Sequence, residues 1–504
     1  MNLSERTIKN LVDIEQPDWY LIIHQMKQLL FKLPKSRAPK YQRLAEAVRT
    51  SIREGHVKAG ELFPSTRELS RILKFDRHTI LNAFAELVAE GWIEAQEKVR
   101  YRVVGTLPST FLQPRTTVMR DFQPKLPKIE LARPVHIGDY YPETKYRHAF
   151  PSGFPDPRLF PMGEFKSYLY DALKSRDVLL YGDPIGLPSL LEQISIYLRR
   201  VRNVSERSIL VTNGSQEAIF LLSQLLVRPG DYVAVEAFGY PPAIEAIRFA
   251  GAKIVSIPVD SEGLITDYLE EILRKKKVRL IYVTPLHQYP TTVTLSARRR
   301  LHLYELAYKY GLLILEDDYD HEFHYASQPV APLASFDPGG LVLYVSTFSK
   351  VLFPSARIGF MAVPKSIGNE LAKLKRISSR QNEHLMQKAL SLWMGSGGFE
   401  RHLRRVRRAY EIRLLAMIDV LGQLKTEHEK LSWRTPDGGM AIWLNTGENS
   451  TSLATRAKSS KILIYPEQNY QIDGKAGTHL RLGFSGQTPS ENADGLRALS
   501  FLLK

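Results

Sequence analysis

Short apolar runs alternating with helical stretches dominate this sequence from about residue 148 onward, and no other feature narrows the possible folds so far. "SILVT" precedes "NGSQEAIFLLSQLL", and "DYVAVE" precedes "AFGYPPAIEAIRFAGA". "RLIYVTP" precedes "LHQYP", "LLILE" precedes "DDYDHEF", and "LVLYVS" precedes "TFSK". Continuous apolar runs of this length belong to strands covered on both faces. The pattern therefore predicts an α/β domain, a mostly parallel sheet with helices on both sides. In such sheets ligands bind just beyond the carboxyl ends of the strands. The chemically suggestive residues of this part of the chain all fall at such ends.

A different pattern precedes it. Residues 36–104 read as a compact module. In "YQRLAEAVRTSI" the apolar positions Tyr41, Leu44, Ala45, Val48 and Ile52 keep helical spacing. "STRELSRILK" opens on Ser65 with Glu68 three places on, the pattern of a capping box. "DRHTILNAFAELVAEG" has Asp76 to cap it, an apolar stripe of Ile80, Phe84, Leu87 and Val88, and Gly91 to stop it. "WIEAQEKVRYRVV" then alternates as a short hairpin does. Three helices and a β-ribbon describe a winged helix-turn-helix. Residues 105–147 are broken repeatedly by proline and read as a partly extended linker. Residues 1–35 form an extension that is helical in part ("WYLIIHQMKQLLF") and discloses no role.

Composition bounds the class. A chain of 504 residues is too long for one ordinary core. Its 44% apolar and 24% charged residues are those of a soluble globular protein. It has no run long enough to span a membrane, and its start lacks the apolar segment of a signal peptide, so a cytoplasmic location is expected. The absence of cysteine excludes disulfides, thiolate zinc sites and iron–sulfur clusters. The formal charge of +16 points to an anionic partner, nucleic acid first. Residues 36–105 hold only 13 Lys and Arg against 9 Asp and Glu. Much of the excess lies in "RKKKVR" (274–279), "RRR" (298–300) and "RHLRRVRR" (401–408). Each run alone reads as a solvated helix face. Together they leave room for a wider basic surface.

The strand ends carry the chemistry. Gly214 and Ser215 follow a strand and open a helix, so backbone N–H groups and the helix dipole face outward as an anion cup. Asp317 ends an apolar strand, with Tyr319 two residues later; a carboxylate there can pair with a cationic ring nitrogen, or "EDDYD" can be a solvated or cation-binding acidic loop. Lys350 stands at another strand end, where neighbouring positive charge would keep its amine partly unprotonated, as Schiff-base chemistry requires. Arg357 and the hydroxyls of Thr347 and Ser349 can complete a phosphate site. Judged singly, each of these is matched by a bland alternative: a plain turn, an acidic loop, a surface lysine. A phosphate cup, a ring-nitrogen carboxylate and an imine-forming lysine in one place describe pyridoxal 5'-phosphate better than a nucleotide, and no phosphate-binding nucleotide motif is present.

The block from about 148 to 504 resembles the aspartate-aminotransferase-like fold, fold type I, of pyridoxal-phosphate enzymes. "FPSGFPDPRLFP", "YGDPIGLPSL", "NGSQEAI", "HQYPT", "EDDYDHEFHY", "STFSKVLFPSARIGF" and "HLRLGFS" occur in that family's order. Residues 40–104 resemble a GntR-type winged helix-turn-helix, and the fusion resembles the MocR/GabR group of bacterial transcription regulators. The resemblance implies that Lys350 carries the cofactor as a Schiff base and that Asp317 holds its pyridine nitrogen protonated. Tyr319 would bond the ring's phenolic oxygen, and Tyr240 would stack on the ring. Gly214, Ser215, Thr347 and Arg357 would hold the phosphate, with Tyr181 reaching in from a second subunit. Arg481 matches the arginine that grips the carboxylate of a substrate or effector. Recognition-helix contacts from Arg77, His78 and Thr79, and backbone contacts from Ser65, Thr66 and Arg67, fit operator DNA.

The sequence departs from the family where "PTT" replaces the usual "PTG", where Tyr289 stands in place of an asparagine beside the ring oxygen, and where the wing ("AQEKVRY") lacks Gly-x-Gly. The expectation is a nucleoid-associated regulator responding to an amino compound or to the cofactor itself. It would be a homodimer, with a linker long enough for domain-swapped, head-to-tail packing. No metal is expected. The alternative is an aminotransferase acting on an amino acid, with the helix-turn-helix accessory; motif and fold do not settle turnover.

Overall fold

The computed structural model describes residues 38–96, 100–105, 146–151, 153–325 and 330–504. The chain divides into two compact units, Met1–Glu130 and Leu131–Lys504. The extension over residues 1–35, nearly all of the expected linker and the tip of the expected wing lie outside the described residues.

In the first unit three helices, Lys40–Arg53, Thr66–Leu73 and Arg77–Ala89, precede the antiparallel pair Ile93–Gln96 and Arg100–Val103. The second helix starts on a complete capping box: Ser65 accepts from the Glu68 N–H, and Glu68 accepts from the Ser65 N–H. Asp76 caps the third helix by accepting from the His78 N–H at 2.9 Å. Leu44, Val48, Leu69, Ile80, Phe84, Leu87 and Trp92 make one core. Val88, expected in the third helix's apolar stripe, is 37% exposed, and Ala83 is buried instead. Leu87 takes the centre of the buried arc, and its neighbour turns about 100° away from it. Arg49 joins the first and third helices through Glu46, Glu86 and Glu90.

The second unit is built on a seven-stranded sheet. Its order is Ser208–Thr212, Gly359–Val363, Val342–Thr347, Leu313–Asp318, Val278–Val283, Tyr232–Glu236 and Lys253–Ile257. All neighbours are parallel except Gly359–Val363, which runs against both strands beside it. Apolar clusters cover both faces of the sheet, as the unbroken apolar runs require. Helices such as Ser215–Leu226 and Pro241–Phe249 follow two of the strands. After Val278–Val283 and Leu313–Asp318 the chain enters irregular loops instead, and those loops hold many of the polar residues of the cleft. A separate four-stranded antiparallel sheet pairs Ser432–Trp433, Ala441–Asn445, His479–Gly483 and Tyr465–Pro466 in that order. The "RRR" run is only in part a solvated face: Arg299 is buried and forks onto Asp260 and the Gly263 carbonyl.

Candidate functional site

Three parallel strands converge on one cleft. Val278–Val283, Leu313–Asp318 and Val342–Thr347 deliver Tyr282, Asp317 and, just past its strand, Lys350. Gly153, Ser215, Tyr240, Thr284, Tyr289 and Tyr319 complete the lining of about 450 Å³, part of it open to solvent. Burial pushes the Lys350 ammonium down to about 8; Arg481 and Arg357 push the same way, against the pull of Asp320 and Asp317. Burial likewise pushes the Asp317 carboxyl up to about 7, although the Tyr282 hydroxyl donates to its Oδ2 at 2.8 Å and pulls it back. The other oxygen, Asp317 Oδ1, is buried and has no hydrogen-bond partner. A buried, unpaired carboxylate oxygen in a cavity that an amine also lines is a costly arrangement for a protein to keep for packing alone.

The opposite end of the cleft is an anion cup. Gly214 has φ +78° and leads into the Ser215–Leu226 helix, whose first N–H groups lack intrahelical acceptors. A Cβ on Gly214 would lie 3.0 Å from Arg357 Nη2, so the guanidinium rests against this turn. Arg357 also donates to the Asn213 carbonyl. Gly359 seals the joint: a Cβ there would lie 2.6 Å from the Gly214 carbonyl carbon. Thr347 is buried, its hydroxyl donating to Ser349 Oγ at 2.9 Å and accepting from the Ser349 N–H at 3.1 Å.

The acidic run is not a solvated loop. Glu316, Asp317, Asp318, Asp320 and Glu322 are all buried. Glu316 accepts from the Leu333 and Ala334 N–H groups. Asp318 pairs with His321 at 2.8 Å and accepts from the Tyr344 hydroxyl, while Glu322 pairs with the buried Arg202. Asp320 takes the His287 ring Nδ1 at 2.7 Å. Tyr319 donates its hydroxyl to the His287 carbonyl at 2.9 Å, so in this structure the backbone holds it. Arg481 is fully buried, its guanidinium 4.4 Å from the Tyr289 ring centre.

The structure thus brings Lys350, Asp317, Tyr319, Tyr240 and Ser215 to one cleft, with Gly214 and Arg357 at its end and Arg481 behind Tyr289. Tyr181 is not among them: it is 77% exposed, with the Arg380 guanidinium 4.0 Å from its ring centre. Tyr282, Thr284, Gly153, Glu236 and Asp320 belong to the same neighbourhood and were not among the residues expected there from the sequence. Glu236 is buried and raised to about 7, and it accepts from the Thr284 N–H and hydroxyl. A polar residue closing an apolar run, as Glu236 and Thr284 do, was the available signal.

In the first unit Arg67, Arg77 and His78 are exposed, Ser65 and Thr79 half-buried. Thr66 is 1% exposed, its hydroxyl turned into the unit, so the outward contacts at that helix start are left to its neighbours.

Residues 156–499 match the model of the class I and II aminotransferases, and residues 40–103 that of the gntR family of bacterial regulatory proteins. The chain is 31% identical over 480 residues to the probable rhizopine catabolism regulatory protein MocR of Rhizobium meliloti, covering 92% of this chain and 93% of that protein. It is 28% identical over 496 residues to the HTH-type transcriptional regulator TauR of Rhodobacter capsulatus, covering 94% and 98%. Among solved structures, Pyrococcus horikoshii kynurenine aminotransferase in complex with PMP superposes with a TM-score of 0.68 at 29% identity, over 71% of this chain and 91% of that one. Among the described residues no helix is long and apolar enough to cross a membrane. With a gntR-family domain ahead of a fold whose family depends on pyridoxal phosphate, the chain belongs to the class I and II aminotransferase family and, within it, to the MocR-type transcription regulators.

Proposed function

We propose that this regulator holds pyridoxal 5'-phosphate in the cleft at Lys350 and senses an amino compound there, altering how its paired gntR-type domains bind operator DNA. One observation carries the reading: an amine lowered to about 8 and a carboxylate with an unpartnered buried oxygen line the same cavity, with an anion cup at its end. That donor set fits a flat ring with a cationic nitrogen at one edge and a phosphate at the other. Bound there, the cofactor would supply an aldehyde that condenses with amines and a ring that draws electrons from the adjoining carbon. The residues of the chain do the rest. Lys350 offers a neutral amine at mildly alkaline pH. Asp317 Oδ1 would accept a hydrogen bond from the protonated ring nitrogen and so keep the proton on that nitrogen. The Ser215 helix start and Arg357 would hold the phosphate, and Tyr240 would stack on the ring. Tyr319 would bond the ring oxygen in place of the His287 carbonyl it meets now. Arg481 receives the carboxylate of the amino compound. Arg77, His78 and Thr79 read the operator while Ser65 and Arg67 hold its backbone, in a homodimer that completes each cleft with Tyr181 of the second copy.

Visible absorption of the purified protein after loading with pyridoxal phosphate, with and without borohydride, tests the cofactor part. The wild type is expected to keep the chromophore covalently after reduction, and Lys350→Ala to lose it; retention by the mutant would overturn the assignment. Binding to DNA upstream of its own gene, against random DNA at several salt concentrations, tests the regulatory part. Weak, equal binding that collapses with salt is what net charge gives unaided. A second reading, an aminotransferase acting on an amino acid, is supported by Lys350, Asp317, Tyr240 and Tyr319 lining one cleft. Rapid ping-pong turnover with a keto acid would favour it.

A further inference from the structure

Resting on the reading of Lys350 and Arg481 as the grips on a carboxylate-bearing amine, we infer that this amine carries an aromatic side chain, seated on a wall of rings formed by Phe238, Tyr289, Trp443, Tyr465 and Tyr470. The wall begins inside the cleft, where Tyr289 is part of the lining beside Lys350. From Tyr289 the rings continue edge to face: 5.5 Å to Tyr470, 6.0 Å from there to Trp443 and 6.1 Å on to Phe238. Strand pairing sets Trp443 directly opposite Arg481 on one side and Tyr465 opposite it on the other. Cross-strand partners share a sheet face at Cβ separations of about 5 Å, so the guanidinium rises between two aromatic residues. A carboxylate on Arg481 brings the remainder of the molecule against these rings. Phe238, Trp443 and Tyr465 are only partly buried, so part of each residue is left uncovered by the protein.

Charge complementarity narrows the class further. The carboxylate bordering this wall, Glu467, accepts from the His479 N–H at 3.0 Å, from its ring Nδ1 at 2.9 Å and from Gln471 Nε2 at 2.8 Å. Burial pushes Glu467 up, but the His479 contacts win and hold it low, so it serves His479 and not a ligand cation. The cation here, Arg481, is taken by the ligand's first carboxylate. Among the described residues the nearby charges are therefore engaged already, Glu467 by His479 and Asp320 by His287, whereas an aromatic ring meets edges and faces with the geometry rings prefer. Trp443 already stacks on His479 at 5.1 Å and 6°, which shows the flat packing this wall accepts.

The test is a titration of the full-length protein loaded with pyridoxal phosphate, read by the cofactor's absorption, using L-phenylalanine, L-tyrosine, L-alanine, L-aspartate, L-lysine and β-alanine. The aromatic amino acids are expected to half-saturate at concentrations at least about tenfold below L-alanine. Trp443→Leu and Phe238→Leu are expected to bring the ratio of L-phenylalanine to L-alanine toward one; the second variant stands in if the first does not fold. Equal responses to all six compounds, or tighter binding of L-aspartate, L-lysine or β-alanine, would overturn the aromatic assignment and leave the cofactor reading standing. A protein that takes up no cofactor would overturn both.

Discussion

Asp317, Glu236 and Glu316 are three carboxyl groups raised to about 7, each by burial first of all. An acid whose folded value lies above its unfolded one holds its proton more tightly in the native state. Its contribution to stability is complete below about pH 4 and is lost as the pH rises through about 7. Lys350, lowered to about 8, acts with the opposite sign but mostly above that range. Protein stripped of cofactor is therefore expected to melt at a lower temperature at pH 8 than at pH 6, with on the order of 1 kcal/mol lost between those pH values for each group of this kind. Asp317→Asn should shrink the difference, and thermal unfolding of both proteins at the two pH values measures it. An undiminished difference in the mutant would mean that Asp317 is already ionised when the cleft is empty. Asp317 was legible in the sequence because a carboxylate closing an apolar run is out of place. The pairing of its Oδ2 with Tyr282 was not, since a tyrosine inside "RLIYVTP" looks like any other strand residue.

Gly359 illustrates what elements do that single residues cannot. It sits in register with Thr212 on one side and Thr347 on the other, so the strand it opens joins the approach to the anion cup to the approach to Lys350. Gly359→Ala would drive a methyl group to 2.6 Å from the Gly214 backbone. Overpacking of this kind costs about 1–3 kcal/mol. The mutant is expected to unfold at a lower temperature and to release pyridoxal phosphate faster, which dialysis followed by absorption would show. Lower stability with unchanged cofactor retention would separate this glycine from the site. The parallel strands were readable from their unbroken apolar runs, and the seven motifs fell in the order of the fold. The reversed strand from Gly359 to Val363 was not readable, because direction leaves no mark on the pattern of apolar residues. Neither was the ring wall, whose members at 238, 289, 443 and the 465–470 segment come from four well-separated stretches and become neighbours only through tertiary packing.

At the scale of the molecule, charge and specificity must be told apart. The net +16 guarantees attraction to any nucleic acid, so affinity alone says little. Arg77 opens the third helix of the first unit and is exposed, where a base-reading side chain belongs. Arg77→Ala is expected to weaken operator binding by about 1–3 kcal/mol and to erode preference over random DNA. Equal loss on both DNAs, with a smaller salt slope, would make Arg77 a phosphate contact instead. The winged helix-turn-helix was legible because its caps are local: Ser65 with Glu68, and Asp76 ahead of Arg77, need only a few residues of chain. The inward turn of Thr66 was not, since a helix start shows which residues cap but not which face meets the core. In the larger unit the two halves of the anion cup are tied by paired strands and pressed together at a residue without a side chain, so they behave as one stiff plate. A plate of that kind transmits displacement but does not absorb it. The antiparallel sheet bearing Arg481 is separate from that plate, so an amine held at both Lys350 and Arg481 would act as a strut between the two.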